Sequence, residues 1–564
     1  MPLTPDGVGQ AVCDTRRTHM IRRLIVLIGL LLAEVAAGAE PGSAPALAEL
    51  PREYVDTALI QSTGRTIHVP AGGDLQSALN KARLGDLITL AAGATYTGPF
   101  LLPKKEGTGW LVVRTDTPDA RLESGGSQRV NPARAPLMPR LIAPRGAIIA
   151  LAPGAHHYRF IGVEVSPAPG IFAYHLIAPA AEPRSDSDQP HHLIFDRCYL
   201  HGDPAKGSRR AIALNGQHLA VIHSHVSDFK EVGADSQALA GWSGSGPIKI
   251  VDNYLEGGAE NVLFGGSDPA IPGLVPSDIE IRGNTIAKNP RWNPGNSTYD
   301  GSRWTMKLLL ELKNARRVLV EANVFENYDG FAIVITPRNQ SGTAPWSTVT
   351  DVTIRHNWIR RVSSIINISG YDEYHPSRPT ERITVEHNVA ESLYDAGPPN
   401  PKMILINGGP DDVIIRHNTI LTPSGRGSSY LMFANAIHKK GNAFAFTDNI
   451  VQLGTYGMGG DNPPLGSNSL TLLDGHFRRW AFSSNILINP QGTPPSMYPA
   501  GQYWVSSLAA VGFQDPSKAD FALSAKSPYR GHGSGGSDPG ANVKSLFEAF
   551  TRFMSAPDFR RDQP

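Results

Sequence analysis

A nine-residue pattern centred on asparagine recurs through most of this 564-residue chain. Consecutive copies are 30 to 39 residues apart, and Cys198 and Ser224 hold the same place further upstream. A repeat of this length is typical of a stacked array, in which each unit packs on the next one. The asparagines of the eight clear copies are Asn253, Asn284, Asn323, Asn357, Asn388, Asn418, Asn449 and Asn485.

Each repeat begins with alternating apolar and polar residues, as in "VTIRHNWI" at 352–359 and "DVIIRHNTI" at 412–420. Alternation with a period of two, rich in Val, Ile and Thr, predicts β-strands. A second short apolar run follows in each repeat, and no segment between the two runs has a sustained helical period. The pattern therefore predicts an all-β fold, a right-handed parallel β-helix, in which each strand pairs with its counterpart one coil further on.

The recurring asparagines are interpreted as structural rather than catalytic. At a sharp turn, an Asn amide can bond to the next Asn of the stack and satisfy turn backbone that would otherwise be buried and unpaired. His356, His387 and His417 each precede such an Asn, and we expect them to form a second stack. Neither a His-x-x-x-His spacing nor a pair of cysteines supports zinc, so no metal site is predicted.

The termini predict the domain organisation. Residues 20–39 have the form of a signal peptide, with Arg22 and Arg23, an apolar run that is shorter than the ~20 residues of a membrane span, and a small-residue cleavage site. We therefore expect a secreted or periplasmic protein that has no membrane association after cleavage. The remaining segments are a mis-assigned start at 1–19, an N-terminal linker at 40–64, one β-helix domain at 65–530 and a partly ordered C-terminal tail at 531–564.

Charge and cysteine content limit the partners. Residues 1–39 carry four basic and three acidic side chains, so cleavage leaves equal numbers of the two in the mature protein. This balance argues against a nucleic-acid partner, which normally requires a basic face. Cys198 is the one cysteine that remains, which excludes an intrachain disulfide. We expect a monomer.

The segment before the repeats carries a family resemblance. In "TIHVPAGGDLQSALNKARLGDLITLAAGATYTGPFLLP", Asp74 can cap a short amphipathic helix at 75–83 that covers the open end of the first coil. This opening resembles the N-terminal cap and first coil of secreted pectate-lyase-like β-helix proteins, and the resemblance covers roughly residues 65–530. It implies an extracellular polysaccharide as substrate. It does not imply one reaction, because this superfamily includes lyases, hydrolases, esterases, epimerases and proteins without activity.

Candidate site residues lie where one face of the coils departs from the Asn/Val/Ile pattern, between about Gly233 and Asp372. In the run from Lys307 to Lys313, alternation places Lys307, Glu311 and Lys313 on one side of a strand. We expect these charges to face a groove formed with the neighbouring coils. The predicted substrate-binding residues are Asp235, Gln237, Trp242, Glu260, Asp268 and Asn339.

The first hypothesis is β-elimination on a uronate polysaccharide, which needs a base and a cation beside the substrate carboxylate. The segments "LELKNARRVLVEANVF" and "AIVITPRNQ" are similar to the arrangement in chondroitinase B and related alginate lyases. This resemblance implies that Lys313 is the base and that Arg338 is the acid or the carboxylate clamp. Glu311 and Lys307 complete the predicted catalytic set. The interval between Lys313 and Arg338 is a few residues longer here, and Pro337 intervenes.

Two alternatives stay open. The first is a glycoside hydrolase that uses two carboxylates, although the characteristic motifs of polygalacturonases are missing; its carboxylates would come from Asp235, Glu256, Glu260, Asp268 and Glu311. The second is a polysaccharide-binding surface protein without turnover, in which Trp242, Trp292 and Trp304 stack on sugar rings. The sequence does not require a cofactor. Calcium binding stays open, because isolated acidic residues in loops do not define the coordination of a calcium ion.

Overall fold

The computed structural model describes residues 44–123, 128–391, 401–421, 430–435, 439–460, 469–490 and 492–553. The predicted start segment and signal peptide at 1–39 lie outside these residues. From Pro45 onward the chain forms one compact unit. Among the described residues, no helix is long and apolar enough to cross a membrane.

The described coils wind through three ladders of parallel strands, which confirms the predicted parallel β-helix. Ladder one is a sheet of its own, and each of its strands pairs in register with the equivalent strand one coil earlier and one coil later. Its fourteen described strands are Thr66–Val69, Leu87–Leu90, Leu111–Thr115, His156–Ile161, His191–Asp196, Gln217–Ile222, Ile248–Val251, Ser277–Arg282, Ala315–Glu321, Val349–Arg355, Glu381–Glu386, Asp411–Arg416, Gly441–Thr447 and Phe477–Ser483.

Ladders two and three merge into a second sheet, because the strands Val324–Ile335 and Trp358–Ser369 run unbroken from one ladder into the other. The other described strands of ladder two are Thr95–Thr97, Arg140–Ala143, Glu164–Pro167, Tyr199–His201, His225–Phe229, Tyr254–Gly257, Thr285–Ala287, Val389–Glu391, Thr419–Ile420, Ile450–Gln452, Ile486–Ile488 and Tyr503–Val505. Those of ladder three are Phe100–Leu102, Ile149–Leu151, His175–Pro179, Arg210–Ala213, Gln237–Gly241, Glu260–Phe264, Leu308–Leu312, Lys402–Asn407, Tyr430–Asn435 and Gly457–Gly460.

Helices are short and lie outside the ladders. The predicted capping helix is Leu75–Lys81, where Asp74 accepts a hydrogen bond from Ser77 N at 2.9 Å and Leu75 and Leu79 are buried. It ends before the predicted Arg83 because Ala82 is already extended. The other described α-helices are Asp119–Leu122, Ser469–His476, Leu508–Val511 and Val543–Thr551. The described 3-10 turns are Pro132–Leu137, Asp186–Asp188, Pro290–Trp292, Pro495–Met497, Pro516–Lys518 and Ser534–Gly536. Outside the ladders, the strand Phe513–Asp515 pairs antiparallel with Asp520–Leu523.

The asparagine ladder is confirmed. Oδ1 of Asn284 accepts hydrogen bonds from both N and Nδ2 of Asn253, at 2.9 and 3.0 Å, and the same pair of bonds recurs at every step as far as Asn485. Gln502 ends the ladder by accepting from Asn485, while Ser224 extends it upstream. Each Asn thus satisfies buried turn backbone, which makes it structural.

The predicted histidine stack is also confirmed. The rings of His356 and His387 stack with centroids 5.6 Å apart, and those of His387 and His417 are 5.0 Å apart. All three residues have a left-handed backbone, with φ of 54°, 54° and 51°. This conformation recurs because the chain turns sharply before each ladder asparagine, so equivalent side chains lie above one another.

The N-terminal segment packs on the coils instead of forming the predicted linker. Its backbone donates hydrogen bonds from Glu49 N to Asp351 Oδ1 and from Arg52 N to Asp278 Oδ1, at 3.2 and 2.8 Å. Further along, Arg159 donates to the carbonyl oxygen of Ala58 at 2.8 Å. The segment therefore crosses several coils along the outer face of ladder one.

The C-terminal tail is folded as far as residue 553, a feature that the sequence interpretation missed. Asn542 caps the helix Val543–Thr551, and Leu546 and Phe550 of this helix are fully buried. The helix packs on the outer face of ladder two, against a cluster that includes Trp358. The terminal segments therefore cover parts of the outer faces of ladders one and two.

Candidate functional site

Ladder three brings six of the ten predicted site residues together. In its register, Gln237 pairs with Glu260, and Glu311 lies on the next coil, opposite Leu263. The Asn261 side chain is fully buried, and its Nδ2 donates to Leu255 O and Ala287 O. The neighbouring Glu260 carboxylate instead contacts Gln237 of the preceding coil. We call the group the acid–base cluster; its members are Asp235, Gln237, Glu260, Lys307, Glu311 and Lys313.

Three short contacts organise the acid–base cluster. Gln237 Nε2 donates to Glu260 Oε2 at 2.6 Å. Lys307 Nζ bonds to Asp235 Oδ2 at 2.5 Å, and this ion pair is half-exposed. Lys313 Nζ lies 3.1 Å from Glu311 Oε2 in a more buried ion pair. The cluster thus has a fully buried part, formed by Gln237 and Glu260, and two ion pairs that are more exposed.

Glu260 is the most perturbed member of the acid–base cluster. Its side chain is fully buried, and burial together with the nearby charge of Glu311 raises its pKa to about 7. The hydrogen bond from Gln237 and the charge of Lys313 only partly offset this rise. Glu260 Oε1 has no hydrogen-bond partner among the described residues. Such a carboxyl group holds its proton close to neutral pH, which suits a general acid.

The charges of Glu260 and Glu311 both affect the pKa of Lys307. Burial lowers its pKa, but the hydrogen bond with Asp235 and the charges of Glu260 and Glu311 outweigh this effect, so the pKa is raised. Lys307 therefore carries a positive charge near neutral pH, at the half-exposed edge of the acid–base cluster. This position fits substrate attraction better than proton transfer.

Lys288 is a neighbour that the sequence analysis missed. Its fully buried Nζ donates to the carbonyl oxygens of Gly257, Gly258 and Ala259, at 2.7, 2.5 and 3.1 Å. Burial lowers its pKa to about 7, against the charges of Glu260 and Glu256. The three hydrogen bonds tie the Lys288 side chain to the backbone turn at 257–259, directly before Glu260. Its motif "IAKNP" gave no sign of this role because a lysine after a strand is usually solvated.

Arg338 lies beside the acid–base cluster on the following coil. Its backbone N donates to Lys313 O at 2.8 Å, so the two residues leave successive coils at matching places. The guanidinium pairs with the buried Asp372 at 2.7 Å and stacks over Tyr374 at 5.0 Å. Asp372 also lines a cleft of about 330 Å³ together with Tyr371 and Lys439. Arg338 is thus paired with an acidic residue that lines this cleft.

The other three predicted residues are not members of the acid–base cluster. Asn339 is fully buried and bonds to Pro376 O and Ala344 N, which makes it a turn residue rather than a substrate ligand. Asp268 Oδ2 accepts from the backbone of Ser341 and Thr343 and holds the same loop. Trp242 directly follows the strand Gln237–Gly241, and its ring is 5.4 Å from the guanidinium of Arg210, which donates to Gln237 Oε1 at 2.5 Å.

The cluster carboxylates do not form an evident metal centre. Each of them already contacts a lysine or a glutamine. Among the described residues, one group of three metal-ligating side chains is close enough to share an ion, and it consists of histidines on ladder one.

Comparisons with known proteins return similar solved structures but no family. No protein-family model and no curated protein match this chain. Solved structures that are similar include the PL6-family alginate lyase AlyGC, with 14% identity, 82% of this chain and 57% of that chain covered, and a TM-score of 0.40. The pectate lyase Pel9A has 14% identity, coverages of 85% and 96% and a TM-score of 0.33. The family 28 exopolygalacturonase of Yersinia enterocolitica has 9% identity, coverages of 73% and 74% and a TM-score of 0.31.

This chain thus spans little more than half of the alginate lyase AlyGC. The β-helix assignment follows from the chain's own three ladders and does not depend on these similarities.

Proposed function

We propose that this protein is a carbohydrate-active enzyme that cleaves an acidic polysaccharide by β-elimination on the outer face of ladder three. One observation carries the proposal: a buried acid, Glu260, and the Glu311–Lys313 ion pair adjoin Arg338 on successive coils. Elimination next to a uronate carboxylate needs this combination of an acid, a base and cations. The solved lyases named above act on polysaccharides, which agrees with this substrate class.

The ion pair changes the role that was predicted for Lys313. Lys313 Nζ lies 3.1 Å from the Glu311 carboxylate, and this ion pair fits the role of a binding cation better than that of a base. We assign Lys313 and Arg338 to the substrate carboxylate, which they would hold as two cations. Asp372 occupies one edge of the Arg338 guanidinium and fixes its orientation. A planar guanidinium can present its other N–H groups to a carboxylate.

Glu311 is then the base. Its carboxylate takes the proton from the carbon next to the substrate carboxylate, a double bond forms, and the bond to the glycosidic oxygen breaks. Glu260 gives its proton to that oxygen. Carboxylates perform comparable abstractions next to carbonyl groups in other enzymes when the developing charge is stabilised. Because Glu260 is fully buried, substrate entry requires the half-exposed Lys307–Asp235 pair to move aside.

Hydrolysis is the second candidate, and the same two carboxyl groups favour it. A protonated glutamic acid beside an ionised one is the acid and base pair that glycosidases use. In that reaction Glu311 would activate a water molecule, and no double bond would form. The cations Lys313 and Arg338 would then have no role in catalysis, which separates the two candidates.

The test follows two products in one incubation. Untagged protein is mixed with polyuronates and with neutral glucans, and both ultraviolet absorbance and new reducing ends are recorded. Elimination predicts that absorbance and reducing ends rise together, on polyuronates alone. Reducing ends without absorbance would support hydrolysis. Binding without either product would contradict both enzymatic candidates.

A further inference from the structure

Five histidines form a surface cluster on ladder one that the proposed function does not use. They occupy the first two positions of three successive strands, in "HHYRF", "HHLIF" and "QHLAV". We call this group the histidine cluster; its members are His156, His157, His191, His192 and His218. All five are partly exposed.

Backbone conformation explains why adjacent histidines share one face. His157, His192 and His218 have φ of 58°, 54° and 52°, so the alternation of side chains is interrupted at the start of each strand. As a result, Nδ1 of His156 lies 2.8 Å from Nδ1 of His157, and Nδ1 of His191 lies 2.9 Å from Nδ1 of His192. Each of these two coils therefore presents a pair of imidazoles at one point.

Stacking brings the pairs of successive coils together. The rings of His156 and His191 are 4.7 Å apart, and those of His157 and His192 are 4.4 Å apart. His218 continues the second column at 4.3 Å, and Glu53 Oε1 lies 2.8 Å from its Nε2. One ring nitrogen from each of His156, His157 and His191 lies within 4.8 Å of the other two.

We infer that His156, His157 and His191 form a binding site for a divalent transition metal that prefers imidazole, such as Zn²⁺ or Cu²⁺. Ligand nitrogens lie about 2.1 Å from such an ion. Small rotations of half-exposed rings are enough to bring the three nitrogens to this distance. His192 stands next to the site and can supply a fourth nitrogen. The ion would join two coils, because its ligands come from successive strands.

Other groups that face the histidine cluster are Trp110, Lys104 and Glu53. The Glu53 carboxylate is directed at His218 and not at the three proposed ligands.

The second histidine stack supplies a matched control. His356, His387 and His417 stack on successive coils in the same way, but each coil contributes a single histidine. A stack without adjacent pairs does not bring a third nitrogen close. His356→Asn and His417→Asn keep a residue type that tolerates the left-handed backbone. His156→Gln and His191→Gln avoid the left-handed positions of the histidine cluster.

The experiment titrates the full mature protein, without a histidine tag, with Zn²⁺ in a calorimeter and with Cu²⁺ followed by electron paramagnetic resonance. We expect one ion per chain, nitrogen couplings in the copper spectrum, and binding that is weaker by about tenfold or more in His156→Gln and His191→Gln. The His356→Asn and His417→Asn variants should bind as the wild type does. Thermal unfolding of each variant without metal checks its fold. Absence of binding in the wild type, or equal binding in the His156→Gln and His191→Gln variants, would overturn the inference.

Discussion

Lys313 and Glu311 form an ion pair on the outer face of ladder three, with Nζ 3.1 Å from Oε2. We propose different roles for the two residues from those that the sequence alone predicted. In the sequence-based hypothesis Lys313 is the base, whereas in our proposal it is a cation that holds the substrate carboxylate. A conservative substitution can separate the two hypotheses.

We predict that Lys313→Arg keeps most of the elimination activity, while Lys313→Ala lowers it by about 100-fold. Arginine preserves the positive charge, but its pKa above ~12 prevents it from acting as a base near neutral pH. Removal of one charge-stabilising donor commonly costs a factor of about 10²–10³. Initial rates at saturating polyuronate give the comparison. Loss of activity in Lys313→Arg equal to that in Lys313→Ala would restore Lys313 as the base.

Glu260 should make the folded protein less stable as the pH rises from 4.5 to about 7. Its folded pKa of about 7 lies above the ordinary value of 4.5, because burial and Glu311 disfavour the ionised form. Between these two values the unfolded chain binds fewer protons at this site, so stability falls as pH rises. Denaturant midpoints measured from pH 4 to 8 should show this loss in the wild type. The loss of stability should be smaller in Glu260→Gln, because the glutamine amide has nearly the size of the carboxyl group but cannot ionise.

The asparagine ladder should govern stability and not activity. Asn388→Ala removes an Oδ1 that accepts from the backbone and side chain of Asn357, and an Nδ2 that donates to Ile354 O. We expect a loss of roughly 1–3 kcal/mol in the free energy of unfolding, because buried backbone groups are left unpaired. Chemical denaturation measures this loss. Asn296→Ala, in an exposed turn, is the control and should change stability far less.

The C-terminal helix should stabilise the solenoid from outside. Phe550 is fully buried against ladder two, and its truncation to Ala should cost about 3–5 kcal/mol. The expected result is a lower thermal midpoint with an unchanged pH profile of activity. An unaltered midpoint would show that the helix does not pack on the coils in solution.

The sequence was sufficient to predict the repeating part of the fold. The Asn register and the His356–His387–His417 stack follow from one rule, that equivalent positions lie above one another in a solenoid. The capping helix followed from a local signal, the helix cap at Asp74. The N-terminal segment and the C-terminal helix were missed because they occur once each. Their contacts, such as Arg52 N with Asp278, join residues far apart in the chain, and no local pattern reports them.

The candidate site was predicted only in part, for a related reason. Alternation placed Lys307, Glu311 and Lys313 on one face, and the repeat brought Gln237 and Glu260 to the neighbouring coils. The burial of Glu260 and of Lys288 comes from contacts with other parts of the coils, which alternation does not report. Asn339 was predicted to bind the substrate, whereas its amide bonds to Pro376 O and Ala344 N.

The central claim is that Glu311 is the base of an elimination reaction, and Glu311→Gln tests it most directly. The matched control is Glu386→Gln, because Glu386 is also ion-paired to a cation, Arg416, but on ladder one. On the polyuronate that the wild type cleaves, Glu311→Gln should lower the rate of unsaturated product by a factor of about 10²–10⁴, and Glu386→Gln should leave it near the wild-type value. A Glu311→Gln variant that forms unsaturated product at the wild-type rate would contradict the claim.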